Sequence, residues 1–220
     1  MNRVTIVDYG SGNLRSVARA LERCGAEPLL CSDPAELERA ERLLLPGVGA
    51  FADGMAGLRE RSLVEPIKRF AASGRPVMGI CLGMQMLASV SEEFGVHEGL
   101  NLIPGVVVPL PRVVLDGRVQ KIPHIGWEAI DHTSEGNWRG SILDETAPGA
   151  AVYLVHSYHF LPENPAHVLA TYRFGDQQIT AAVSAGNVMG CQFHPEKSGP
   201  EGLRILSAFL KRPVSAFTSQ

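Results

Sequence analysis

Apolar positions along the first hundred residues follow two alternating rhythms. Residues 3–8, RVTIVD, form a short β-branched run ending in YGSGN, after which Leu14, Val17, Ala18 and Leu21 recur at i, i+3, i+4 and i+7. The run predicts a strand and the recurrence an amphipathic helix. Gly25 closes that helix, EPLLCS returns as a strand, and DPAELERAE opens with Asp33 as N-cap and Pro34 at the first helical position. A third strand, RLLLPG, breaks at Pro46. From Met55 to Ala72 a helical stripe carries Leu58, Val64, Ile67, Phe70 and Ala71, with Gly74 as the stop, and RPVMGI then forms a fourth strand leading into another helical pattern.

Such a succession predicts an α/β fold with a mostly parallel central sheet and flanking helices, its chemistry beyond the carboxyl ends of the strands. From about residue 103 the texture changes to β-branched runs and turn signals, which predict a more antiparallel, β-rich C-terminal half with a last helix near 200–211. The polar interval DHTSEGNWRGS, 131–141, predicts an exposed loop. Without internal repeats or a linker, one domain is expected over residues 1–220.

Composition narrows the function classes. The chain has 220 residues, 45% hydrophobic, with Lys+Arg 20 against Asp+Glu 23. These charges are scattered, so nothing marks a nucleic-acid or anionic-membrane partner. The start, MNRVTIVDYG, has too short an apolar core for a signal peptide, and no later run reaches a membrane span. A soluble, cytoplasmic protein is expected. Cysteines 24, 31, 81 and 191 lack C-x-x-C spacing, so neither a zinc site nor a disulfide framework is expected, and no cofactor is called for.

Cys81 stands at the centre of G-x-C-x-G, residues 79–83, where the fourth strand gives way to a helix. This is the spacing of a nucleophile elbow. Small flanking residues allow the tight turn, the helix N-terminus favours a thiolate, and the Leu82 N–H points to where an oxyanion would form. On this fragment alone a buried packing thiol reads equally well. HPE at 194–196 supplies a second element: a carboxylate two residues from an imidazole on extended chain faces the same side, so Glu196 could orient His194 as base. His124 and His156 are rivals, though neither has an acid within two positions. LLLPGVGAF, 43–51, is either a connection rich in breakers or a segment that turns a peptide N–H inward.

PGVGAF, GICLGMQML and HPEKS, in that order and at those separations, resemble the class I (triad) glutamine amidotransferases. IVDYGSGNLRSVARAL, IPHIGWE and YLVHSYHF narrow the resemblance to the glutaminase subunits of imidazole glycerol phosphate synthases. The resemblance implies a flavodoxin-like fold and a thioester mechanism in which Cys81 attacks the glutamine side-chain amide, His194 protonates the departing ammonia and Glu196 orients His194. It places Gln85, Glu93, Ser157 and Tyr158 around the substrate, and Gly47 and Val48 with Leu82 at the oxyanion. In this family the peptide at Gly47–Val48 is often turned away until the partner's ligand binds. The implied partner is a (β/α)₈-barrel cyclase subunit forming a heterodimer and receiving ammonia through an internal passage. Asn13, Trp127, Tyr153 and Lys197 fall at positions facing it. Without the family, Asn13 reads as a helix cap, Trp127 and Tyr153 as core aromatics and Lys197 as a solvated charge.

Two places depart from the pattern: Glu128 stands where the family usually has Asn, and the 131–141 interval is long. They keep open a paralogue feeding ammonia to another barrel synthase, as in surface-sugar amination. A free-standing Cys hydrolase predicts strong turnover without a partner, and a non-enzymatic binding module has no need of Cys81, His194 and Glu196 together.

Overall fold

The computed structural model describes residues 2–112, 114–115, 118–133 and 138–214. The first part of the chain runs β1 (Asn2–Val7), α1 (Leu14–Arg23), β2 (Ala26–Cys31), α2 (Pro34–Glu38), β3 (Leu43–Gly47), α3 (Phe51–Glu60), α4 (Val64–Ala72), β4 (Val77–Cys81) and α5 (Leu82–Gln85). Asp33 caps α2 as expected, its carboxylate accepting from Ala35 and Glu36 N–H. The expected helix over 55–72 is instead two helices. Pro66 has no N–H to continue a helical ladder, and the chain turns at Ser62, φ 56°, before restarting at Val64.

The remainder runs β5 (Val90–Ser91), β6 (His97–Glu98), β7 (Gly105–Pro109), β8 (Val114–Leu115), β9 (Arg118–Val119), β10 (His124–His132), β11 (Ala150–His156), β12 (Tyr158–Pro162), β13 (Val168–Phe174), β14 (Gln177–Ala185), β15 (Val188–Cys191) and α6 (Gly199–Leu210). The 131–141 interval is only partly a loop. Asp131 and His132 still belong to β10, and Trp138 is 3% exposed with its indole N–H on the Leu169 carbonyl; residues 134–137 lie outside those described.

Nine strands form one sheet in the order β11-β10-β13-β14-β15-β4-β3-β1-β2. Pairings from β2 to β15 are parallel and those from β15 to β11 antiparallel. The two textures of the sequence are thus two halves of one sheet, joined where β15 pairs with β4. Alternate strand residues feed apolar layers on opposite faces: Val4, Ile6 and Leu44 meet α1 and α6 through Val17, Leu21, Ile205 and Phe209. Val7, Leu43 and Leu45 meet α3 and α4 through Leu58, Ile67 and Phe70. A second sheet, β12-β7-β5-β6, meets the turn after β4 where Gln85 Nε2 donates to the Tyr158 carbonyl at 2.9 Å. Among the described residues no helix is long and apolar enough to cross a membrane.

Candidate active site

Cys81 ends β4 in a conformation that side chains rarely adopt, φ 55° and ψ −114°. The flanking glycines make the turn feasible. A Cβ on Gly83 would lie 1.7 Å from the Leu45 carbonyl oxygen, and one on Gly79 would lie 2.6 Å from the Gly83 carbonyl group. This strained elbow projects the thiol into a cavity of about 250 Å³ lined by Val48, Gly49, Leu82, Gln85, Glu93, Pro123, Val155, His156, Ser157, Tyr158 and His194 as well as Cys81. Its size lies just below that of pockets for drug-sized molecules, roughly 300–1,000 Å³, and suits a smaller ligand such as a free amino acid.

The helix expected after Cys81 is a single turn. The carbonyls of Met86, Leu87 and Ala88 accept from the returning segment Leu100–Ile103 rather than continuing a helical ladder. One turn carries little of a macrodipole, so the helix end adds little at the Cys81 sulfur, and the ionisable group that shares its cavity from β15's end of the sheet is His194. His194 is 2% exposed, and its Nδ1 lies 2.9 Å from Oε1 of Glu196. The pairing forms differently from the extended arrangement expected: His194 is extended, but Pro195–Lys197 is a 3₁₀ turn that brings the carboxylate back. Burial opposes charge on the imidazole, yet the thiol of Cys81 and the Glu196 carboxylate outweigh it and raise the pKa to about 9. At neutral pH the ring therefore already holds its proton.

His194 is fixed from behind as well. Its N–H donates to the Tyr153 carbonyl at 2.9 Å, and its carbonyl accepts from Ser198 Oγ at 2.7 Å. The rivals are otherwise engaged. His156 is bonded through both ring nitrogens, to the Tyr158 carbonyl and the Tyr172 hydroxyl. His124 does have an acid, Glu128 Oε1 at 3.2 Å, but four residues on rather than two.

Of the other expected site residues, Gln85, Glu93, Ser157, Tyr158, Val48 and Leu82 all line the cavity, and Gly47 pairs with Cys81 across the β3–β4 ladder. Glu93 already accepts the Phe51 N–H through Oε2 at 2.6 Å, which leaves Oε1 for a ligand. Gln192 is a further residue: fully buried, it donates from Nε2 to Cys81 Sγ at 3.7 Å and accepts from Gln85 Nε2 at 3.0 Å. Its one signal was its place two residues before His194 in the sequence.

The positions expected to face a partner lie outside the cavity. Trp127 is 56% exposed, which overturns its reading as a core aromatic, and its ring meets the half-buried Tyr153 at 5.9 Å. Lys197 Nζ lies 5.7 Å from the Tyr153 ring. Asn13 occupies the N-cap position of α1 but makes no side-chain cap. Among the described residues no group of three or more His, Cys, Asp or Glu could hold a metal ion.

The family model described as glutamine amidotransferase class-I matches residues 5–212. Imidazole glycerol phosphate synthase subunit HisH 1 of Legionella pneumophila strain Paris is 53% identical over 212 residues, covering 96% of this chain and 100% of that protein. The corresponding HisH subunit of Syntrophotalea carbinolica is 48% identical over 207 residues, covering 94% and 98%. Among solved structures, PurLQS from Thermotoga maritima superimposes with a TM-score of 0.72 at 23% identity, covering 94% of this chain and 97% of that one, a likeness of fold.

Proposed function

The chain belongs to the class-I glutamine amidotransferases, and from that membership we propose that it is the glutaminase subunit of an imidazole glycerol phosphate synthase, a single amidotransferase domain over residues 1–220. One observation carries the chemistry: Cys81, on a strained elbow, shares a small cavity with an imidazole that is buried and held by Glu196.

The reaction uses one proton between the Cys81 sulfur and His194, which sits on the imidazole as the sulfur attacks. Sγ of Cys81 attacks the side-chain carbonyl carbon of glutamine, and the negative oxygen is met by backbone N–H groups of Leu82 and of the Gly47–Val48 peptide. As the C–N bond breaks, the His194 proton passes to nitrogen and ammonia leaves, with a γ-glutamyl thioester on Cys81. His194, now neutral, takes a proton from water, hydroxide adds to the thioester, and glutamate departs as the thiolate is restored. Gln85, Glu93 and the Ser157–Tyr158 backbone hold the amino-acid end.

Ammonia passes to a (β/α)₈-barrel cyclase subunit, which joins it to a ribulosyl phosphate aminoimidazole carboxamide nucleotide to give imidazole glycerol phosphate and AICAR in histidine biosynthesis. The exposed Trp127, its neighbour Tyr153, Lys197 and Asn13 form the docking face, and the heterodimer works in the cytoplasm. The test is glutamine turnover by the chain alone, with the native barrel, and with the barrel plus its nucleotide. Turnover is to be weak alone and rise strongly with both. Product formation only with a different acceptor would reassign the pathway.

A further inference from the structure

A buried chain of hydrogen bonds behind the cavity has no part in the bond-breaking steps. The hydroxyl oxygen of Tyr172, a residue 1% exposed on β13, lies 2.9 Å from Nε2 of His156. Nδ1 of the same ring lies 2.8 Å from the Tyr158 carbonyl oxygen. A carbonyl only accepts, so Nδ1 carries the proton, Nε2 offers its lone pair, and the Tyr172 hydroxyl donates to it. Burial pushes the His156 pKa down to about 3, which keeps the ring neutral, and its two fixed partners select this one tautomer. The Tyr172 ring is held in turn by His124, stacked on it at 5.6 Å.

The peptide at the end of this chain needs such support. Ser157 lies between β11 of the large sheet and β12 of the small one, where the main chain crosses from one sheet to the other. Leu110 N–H donates to the Ser157 carbonyl. Alternation in an antiparallel ladder then turns the next carbonyl, that of Tyr158, away from β7 and leaves it without a strand partner. Two side chains take the place of that partner: His156 Nδ1, and Gln85 Nε2 at 2.9 Å. Gln85 continues to Gln192, and Gln192 to the Cys81 sulfur. The orientation of the Tyr158 peptide is thus set from β13 on one side and from the nucleophile turn on the other.

We propose that Tyr172 is a positioning residue for the amino-acid end of the substrate, acting through the single tautomer of His156 on the Ser157–Tyr158 backbone. This rests on the reading of the cavity as a glutamine site. The test is Tyr172→Phe in the full chain with its barrel partner, a change that removes one buried hydroxyl and keeps the ring. Loss of one neutral hydrogen bond is expected to raise KM for glutamine by about fivefold, with kcat within about twofold. Labelling of Cys81 by diazo-oxo-norleucine, which carries the amino-acid end, is to slow in proportion. Alkylation by iodoacetamide, which lacks that end, is to keep its rate.

An unchanged KM overturns the proposal, as does an equal fall in the iodoacetamide rate, which would make Tyr172 a general structural residue. Should Tyr172→Phe not fold, His156→Asn and His156→Leu decide. Both break the link to Tyr172 and are to raise KM, Leu more than Asn, whose amide can still donate to the Tyr158 carbonyl; an unchanged KM in both would overturn the proposal. Absence of glutamine turnover and of any diazo-oxo-norleucine adduct in the unsubstituted complex is a separate result, and it would remove the glutamine reading itself.

Discussion

The amide nitrogen of His194 donates to the carbonyl oxygen of Tyr153 at 2.9 Å, so the proposed base hangs from the strand residue whose ring meets Trp127 at the surface. Ser198 closes this link: its Oγ accepts from the Tyr153 N–H at 3.0 Å and donates to the His194 carbonyl at 2.7 Å. Ser198→Ala leaves the Tyr153 N–H without this acceptor and is expected to cost about 1–3 kcal/mol of stability. Denaturant unfolding measures that cost, and a smaller rise in glutaminase turnover on adding the barrel partner would show that the link also carries the partner's effect. A variant as stable and as readily activated as the unsubstituted chain would deny both.

Trp127→Ala removes an exposed ring, so stability is expected to change by no more than about 0.5 kcal/mol. Affinity for the barrel subunit is expected to fall by about 10- to 100-fold if the ring is an anchor of the docking face. Titration calorimetry reads the affinity directly; an unchanged Kd would move the interface elsewhere.

The raised pKa of His194 makes stability depend on pH in a definite direction. An unfolded imidazole titrates near 6.5, whereas in the fold the value is about 9, so protonation favours the folded chain. The contribution is fully present below about pH 6.5 and is lost as pH rises through about 9. NMR titration of the free chain should place the His194 midpoint near 9, and Glu196→Gln should lower it. A midpoint at or below the ordinary imidazole value would refute the raised His194 pKa.

Cys81→Ser should reduce glutamine-dependent synthesis by the complex by roughly 10³-fold or more while leaving synthesis from added ammonia largely intact. Loss of both activities would indicate that Cys81 is needed for assembly.

Gly83→Ala tests the elbow rather than the nucleophile. Its Cβ would sit 1.7 Å from a backbone oxygen, which no rotamer change can relieve, so a loss of at least about 3 kcal/mol is expected. Thermal unfolding of the purified variant decides, and a melting temperature near that of the unsubstituted chain would show that the elbow relaxes cheaply.

Much of this arrangement was legible in the sequence because it is written locally. The strand–helix alternation up to Cys81, the Asp33 cap and the final helix all follow from short-range pattern. The break at Ser62 was hidden because a continuous apolar stripe masked Pro66, and the one-turn length of α5 depends on carbonyl partners from residues 100–103, which no local pattern reveals. G-x-C-x-G and H-x-E advertised Cys81, His194 and Glu196, but nothing in the chain announced that Gln192 would touch the thiol or that Glu128 would reach His124. Those contacts arise only once the sheet is assembled.

The pairing of β15 with β4 also sets when the activity can exist. β4 is made early, yet its neighbour on that side is residues 188–191, more than a hundred positions later. Until those residues leave the ribosome, β4 presents an open hydrogen-bonding edge beside Cys81, and His194 has not been translated. A nascent or prematurely ended chain therefore lacks the assembled cavity and is exposed to strand-to-strand association, an exposure that ends when one short strand slides into place.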